Sequence, residues 1–302
     1  MIPQPATRHE WHFPSGSLAR EGRDVFLTPK EAAWKYAGLQ IVCLDAMEQF
    51  SLITDGIEAA IIPLAATDLA VKVDDCEFEL EGRIGVFVGA TDWVFAPLNS
   101  QVTITAKSRS EIAIATAVAM QRYSPVHCKR DSFDLEIRGA GAATREVRPL
   151  MHPKVFEGAD RLMAVELITP DGNWSSYPPH RHDGIGTCSI NNEEIYYFKI
   201  GKGNSPHGDP TGWGMHRTYT APEDPAFSVD TNVIVRDGDA FIVPRGYHGP
   251  CAAAPGYPMY YLNVLAGSKP RSMAFCDDPD HAWIRASWVD QVPDARLPWR
   301  CP

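Results

Sequence analysis

The stretch Pro178-Pro179-His180-Arg181-His182-Asp183 is followed by Glu193-Glu194-Ile195-Tyr196-Tyr197-Phe198 and then by Gly238-Asp239-Ala240-Phe241-Ile242-Val243-Pro244-Arg245-Gly246-Tyr247-His248. Successive side chains of a strand point to opposite faces, so His180 and His182 share one face and Arg181 takes the other. Glu193 or Glu194, at the head of the next strand, and His248, from a distant hairpin, can converge on the same point. Imidazoles with one carboxylate suit Zn, Mn, Fe or Ni and leave coordination positions open for a substrate.

Outward from this constellation the chain reads as strands. Cys76–Leu80, Val102–Ala106 and Glu111–Thr116 alternate apolar and polar or small residues with period two, as antiparallel strands with one buried face do. Leu162–Ile168, Ile195–Ile200, Met215–Thr220, Phe227–Val235, Ala240–Val243 and Met259–Leu265 are four to nine residues long and bounded by Gly, Pro or Asp. The 25 Pro and 23 Gly are spread as punctuation between these runs rather than gathered in a linker. Short strands at this spacing predict an all-β protein of sandwiches or barrels. One helix is expected, over Lys30–Ala37, with Thr28 as N-cap, Pro29 at the first position, Glu31 completing a capping box and Gly38 ending the run. The small-residue segment 138–144 places a boundary at about 145–150, giving units 1–148 and 149–302. The endings Val94-Phe95-Ala96-Pro97 and Phe241-Ile242-Val243-Pro244 echo each other in the two series.

Composition excludes several partner classes. With 28 Lys+Arg against 38 Asp+Glu the net charge is −10, and no basic run is long enough to attract nucleic acid or an anionic membrane surface. No apolar stretch approaches the roughly 20 residues of a spanning helix, and the start of the chain lacks the basic and apolar regions of a secretory signal. The seven cysteines are odd in number, scattered and without C-x-x-C, so no disulfide framework is expected and a reducing cytoplasm fits.

The H-x-H with a downstream Glu, followed by Gly238, Pro244, Gly246 and His248, resembles the two-part cupin signature. Two departures stand out: a longer spacing from His182 to Glu194, which implies an inserted loop over 184–192, and one residue rather than two between Gly246 and His248. Because cupin ligands are usually followed directly by an apolar strand, Glu194 is preferred to Glu193. The stretches S-S-Y-P-P-H-R-H-D, N-E-E-I-Y-Y-F, V-R-D-G-D-A-F-I-V-P-R-G-Y-H, A-A-P-G-Y-P-M-Y-Y-L-N-V-L-A-G and D-D-P-D-H-A-W-I-R resemble the 5-deoxy-glucuronate isomerases of inositol catabolism and cover most of residues 174–285; the first half resembles them more loosely. The resemblance implies a bicupin, two β-sandwich or jelly-roll barrels with few short helices, in which only the C-terminal barrel holds a metal through His180, His182, Glu194 and His248. The lone His127 of the first half reads as a packing or surface residue.

The resemblance further implies an aldose–ketose isomerase that converts 5-deoxy-glucuronate to 5-dehydro-2-deoxy-gluconate, with a divalent metal, zinc foremost, and no organic cofactor. A metal beside the carbonyl and adjacent hydroxyl would stabilise an enediolate while a protein base moves the proton; a hydride shift is the competing route. His216, Tyr197, Tyr247 and Tyr261 are the candidate acid–base residues, with Tyr219 and Glu193 also in range. Arg217, Arg245 and Arg271 are the candidate clamps for the anionic sugar acid. The run Asp277-Asp278-Pro279-Asp280-His281 reads as a polar turn that could line the site. A related deoxy-keto-uronate isomerase, a cupin oxygenase and a sugar-acid binding protein are the competing readings. Strand edges in two barrels favour a homo-oligomer.

Overall fold

The structure is a computed structural model and describes residues 10–268 and 270–299. The first half curls around one long strand, Ile57–Val73. Its opening part pairs with Ser110–Val118 and Trp93–Ala96, its closing part with Cys76–Arg83 and Gln101–Ala106. The register shifts between Pro63 and Ala65, where a proline without an amide hydrogen breaks the ladder and lets one strand serve two sheets.

The second half consists of two sheets. One runs in the order Glu136–Arg138, Arg145–Arg148, Met163–Thr169, Met259–Gly267, Asn192–Ile200, Ala240–Ile242, with His12–Phe13 at the far edge. The other joins Asp230–Val235, Gly214–Tyr219, Tyr247–Ala253, His180–Arg181 and Cys276–Asp277, with Trp174–Ser175 also on Tyr247–Ala253. Thus 136–148, on the N-terminal side of the boundary expected near 145–150, pairs into the second half's sheet, and so do His12 and Phe13.

Alternation along the strands distributes apolar side chains among three cores. Val42, Leu44, Ile61 and Ile104 fill the first curl; Val165, Leu167, Tyr196, Phe198 and Tyr261 fill the second. The opposite faces of the same strands, including Leu39, Ile41, Ile168, Tyr197, Tyr260 and Leu262, form a core between the halves. A buried ion cluster lies at this seam. Arg83 pairs with Glu166, which also accepts a hydrogen bond from the Tyr260 hydroxyl at 2.8 Å, and Arg148 pairs with Glu146 at 2.8 Å.

Two expectations are corrected. The helix over Lys30–Ala37 is absent: 28–34 is a single turn and Ala37–Leu44 is a strand. The capping contact does form, with the Thr28 amide 3.1 Å from Glu31, but the Glu193 carboxylate accepts the amide hydrogens of Lys35, Tyr36 and Ala37 at 2.7–2.9 Å. Those amides are thereby held in extended chain rather than in helical bonds. The second correction is a disulfide between Cys188 and Cys276. The two lie 88 residues apart in sequence and 5.8 Å apart at Cα; pairing of His180–Arg181 with Cys276–Asp277 brings the loop carrying Cys188 against its partner.

Candidate metal centre and its cavity

His180 stands directly across an antiparallel pair from His248, so the two imidazoles emerge on one face with ring centroids 4.4 Å apart. His182 follows two residues on, and Glu194 reaches in from the facing sheet. Nε2 of His182 lies 3.0 Å, and Nε2 of His248 3.1 Å, from the same oxygen, Oε2 of Glu194. All three residues are buried, and their ligand atoms lie within 4.8 Å of one another. His180 flanks this group of three from the wall of the adjoining cavity.

The protonation pattern fits a cation at the convergence point. Nδ1 of His182 is 3.0 Å from the carbonyl of Asn192, and Nδ1 of His180 is 3.0 Å from that of Pro178. A carbonyl only accepts, so both Nδ1 atoms carry hydrogens and each ring turns its Nε2 away from the backbone; burial would lower the His182 pKa, but its hydrogen bond to Glu194 outweighs burial and raises it. Neither nitrogen of buried His248 makes a well-directed hydrogen bond, its approach to Glu194 being close but bent. Without an ion, a proton on His182 Nε2 bridges to Glu194; a metal would take that proton's place, and backbone-anchored imidazoles are the usual outer support of metal-binding histidines. Burial would raise the Glu194 carboxyl, but contacts with His182 and His248 outweigh it and hold Glu194 well below the usual carboxylate range. Burial and the neighbouring His248 push His180 down, keeping it neutral.

While His248 borders a smaller pocket on the other side of His182, His180, His182 and Glu194 form part of the wall of a cavity of about 450 Å³. Tyr196, Asn263, Ser176, Val165 and Leu167 continue that wall, and Arg138, Arg145, His152 and Arg285 also border it. The Tyr196 hydroxyl lies 3.1 Å from Ser176 Oγ, and burial raises its pKa well above the ordinary tyrosine value, so it is a donor at neutral pH.

The other candidate residues lie elsewhere. Tyr197 is on the opposite face from Tyr196 and donates to Glu111 at 3.0 Å in the core between the halves. Tyr261 is buried and donates to Ser175 Oγ at 2.8 Å. Tyr247 is buried with the Arg181 guanidinium 5.3 Å over its ring, and the Tyr219 hydroxyl donates to Asp278 at 2.5 Å. His216 packs edge-on against Phe241 at 4.4 Å, with Nδ1 3.2 Å from Cys251 Sγ, and does not line the large cavity. Arg217 is exposed, 3.4 Å from Asp230. Arg271 donates to the carbonyls of Leu162 and Phe156 at 3.1 and 2.5 Å. Arg245 pairs with Asp224 at 2.9 Å and borders a separate pocket of about 120 Å³ that touches His182 and His248 from another side. In the Asp277–His281 run, Asp277 pairs with Arg285. His127 pairs with Asp92 at 2.9 Å and does not border this cavity.

The cavity residues not expected from sequence are Tyr196, Asn263, Arg138, Arg145, His152 and Arg285. Only Tyr196 carried a local signal, because it sits two positions from Glu194 and therefore shares its face.

Curled antiparallel sheets around an inward-facing His–Glu–His cluster define a bicupin-like β protein with a possible metal site. Structural comparison supports this class: the chain superimposes on an oxalate decarboxylase from Lactobacillus farciminis with a TM-score of 0.60 over 96% of this chain and 98% of that one, at 13% identity, a likeness of fold alone. Within the class the chain belongs to the KduI/IolB family, whose model matches residues 12–284. It is 35% identical to a 5-deoxy-glucuronate isomerase of Geobacillus kaustophilus over 91% of this chain and 95% of that protein. It is 34% identical to the enzyme of the same name from Geobacillus thermodenitrificans, over 90% and 95%. An IolB-like protein from Salmonella typhimurium superimposes with a TM-score of 0.81, covering 91% of this chain and 99% of that one, at 29% identity.

Proposed function

We propose that this protein is an intramolecular aldose–ketose isomerase that converts 5-deoxy-glucuronate to 5-dehydro-2-deoxy-gluconate in inositol catabolism. The observation that carries the reading is the combination of similarity over 90–91% of the chain to enzymes of that name with a cavity of sugar-acid size opening on His180, His182 and Glu194, the last two of which meet His248 behind them. These three residues, with His180 beside them as a fourth ligand, would hold a divalent transition metal, zinc foremost. When bound, such an ion supplies Lewis acidity at the carbonyl and adjacent hydroxyl oxygens of an aldose.

The chain's own residues do the rest. Tyr196, protonated beside Glu194, presents a hydroxyl that donates to an oxygen gaining negative charge. The Asn263 side-chain oxygen has no partner among the described residues and faces a cavity where a sugar hydroxyl could donate to it. Val165 and Leu167 give the wall between these polar groups an apolar stretch that excludes water from the carbons. The acid–base roles first assigned to His216, Tyr197, Tyr247 and Tyr261, and the clamp roles of Arg217, Arg245 and Arg271, are better served by groups that border the cavity. The first half would be a barrel without a metal. No helix among the described residues is long and apolar enough to cross a membrane. On the metabolic role of its relatives we place the enzyme in the cytoplasm as a homo-oligomer, where a reducing environment would hold Cys188 and Cys276 as thiols. Metal-stripped protein should not turn over 5-deoxy-glucuronate, and zinc should restore turnover; undiminished activity in the stripped protein would refute the metal role.

A further inference from the structure

Four arginines are buried among the described residues: Arg83, Arg145, Arg148 and Arg181. Three have carboxylate partners, Glu166 for Arg83, Glu146 for Arg148, and Glu223 at 3.1 Å for Arg181. Arg145, 3% exposed, differs. Its guanidinium donates one hydrogen bond, to the Ala143 carbonyl at 3.0 Å, its Nε is without a partner, and it lies 5.6 Å from the Trp288 ring. The two other arginines bordering the cavity are already neutralised, Arg138 by Glu136 at 2.6 and 2.8 Å and Arg285 by Asp277 at 2.5 and 2.8 Å. They repel Arg145 rather than satisfy it, and burial draws its pKa down to about 10. Gly139, with φ +81°, packs against Arg145 and its acceptor: a Cβ there would collide first with the Ala143 carbonyl that Arg145 donates to, and would also meet Arg145 Nη1 at 2.9 Å.

An unpaired buried guanidinium is costly unless an anion completes it, and its planar fork matches a carboxylate in two parallel hydrogen bonds. Arg145 borders the same cavity as His182 and Glu194, on a strand three places from the Glu194 strand in one sheet. We propose that Arg145 is the carboxylate-binding residue of this cavity, holding the anionic end of a sugar acid whose carbonyl end faces His182 and Glu194. The assignment rests on the sugar-acid isomerase reading for the identity of the ligand; the vacancy in the charge pairing is a property of the fold.

The test compares wild type, Arg145→Met and Arg145→Lys on 5-deoxy-glucuronate and on its neutral amide, with melting curves in D-glucuronate as an independent binding readout. Losing the fork should raise KM for the acid about a hundredfold, while turnover of the amide stays within about twofold, because only the charged end has lost its partner. Lys should recover part of the loss, as a point charge without the fork. Without ligand the Met variant should melt no lower than wild type, since it removes an uncompensated buried charge, and D-glucuronate should raise the melting temperature of wild type, by less that of the Lys variant, and not that of the Met variant. Equal losses on acid and amide, or an undiminished D-glucuronate shift in the Met variant, would overturn the assignment; if Met does not fold, Lys carries the same comparison. A wild type that fails to isomerise 5-deoxy-glucuronate yet shows the Arg145-dependent shift would sink the activity reading and leave the carboxylate subsite standing.

Discussion

Replacing His216 by Leu should make the protein less sensitive to acid without disabling it. The imidazole is 1% exposed, wedged against Phe241 and Tyr196, and its Nε2 has no partner among the described residues. Burial, followed by repulsion from His248, pushes its pKa down to about 3, against roughly 6.5 in an unfolded chain. The sign follows from proton counts: between these values the unfolded state binds a proton that the folded state refuses, so stability present above pH 6.5 is lost as pH falls toward 3. At pH 5 the unfolded side has gained about 1.5 pH units of protonation energy, about 2 kcal/mol at 1.36 kcal/mol per unit. Leu has nearly the same volume and carries no orphaned nitrogen, so at pH 7.5 the variant should match wild type within about 1 kcal/mol. Urea unfolding of both proteins at pH 7.5 and pH 5 measures the difference of differences, cancelling the other histidines to first order. Turnover should persist, since His216 does not border the large cavity. Equal losses of stability in the two proteins between pH 7.5 and 5 would show that His216 is not held neutral, and an inactive but folded variant would return it to the reacting groups.

Glu194→Gln should lower bound metal per chain, measured by elemental analysis, and reduce turnover by about a hundredfold or more, because it removes the carboxylate shared by His182 and His248. Arg83→Met leaves Glu166 buried at the seam with only Arg148 and the Tyr260 hydroxyl near it. The expected cost is about 3–5 kcal/mol in urea unfolding, part of which a second change, Glu166→Met, should restore. Tyr197→Phe loses one hydrogen bond to Glu111 and should cost about 1 kcal/mol of stability with turnover unchanged in a steady-state assay.

The parts of the fold governed by alternation were legible in the sequence. Gln101–Ala106 buries the face its period-two pattern indicates, the apolar run at 259–265 forms a strand buried on both faces, and the spacing of His180, His182, Glu194 and His248 was enough to place them near one another. The same alternation separates Glu193 from Glu194 in space: one carboxylate anchors the amides of 35–37, the other meets two imidazoles. Where the outcome depended on distant partners, local reading failed. The signals over 28–38 were those of a helix, yet Glu193, more than 150 residues away, holds those amides extended. Cys188 and Cys276 had no sequence pattern to link them, only the pairing of two short strands. Tyr197 reads from the sequence as a candidate reacting group, yet alternation puts Tyr196, two positions from Glu194, on the ligand's face and Tyr197 on the other. Arg145 carried no local signal at all, since it reaches the site from a strand before the metal motif begins, and its distinction is a missing carboxylate that only the assembled charges reveal.

The most direct test of the central claim is to incubate zinc-replete protein with 5-deoxy-glucuronate and follow the sugar by NMR in deuterium oxide, with His182→Ala in parallel. The aldehyde resonance should disappear as the ketose 5-dehydro-2-deoxy-gluconate accumulates without any added cofactor, and the substitution should abolish the conversion. Unchanged substrate in the presence of folded, metal-loaded wild-type protein would contradict the account.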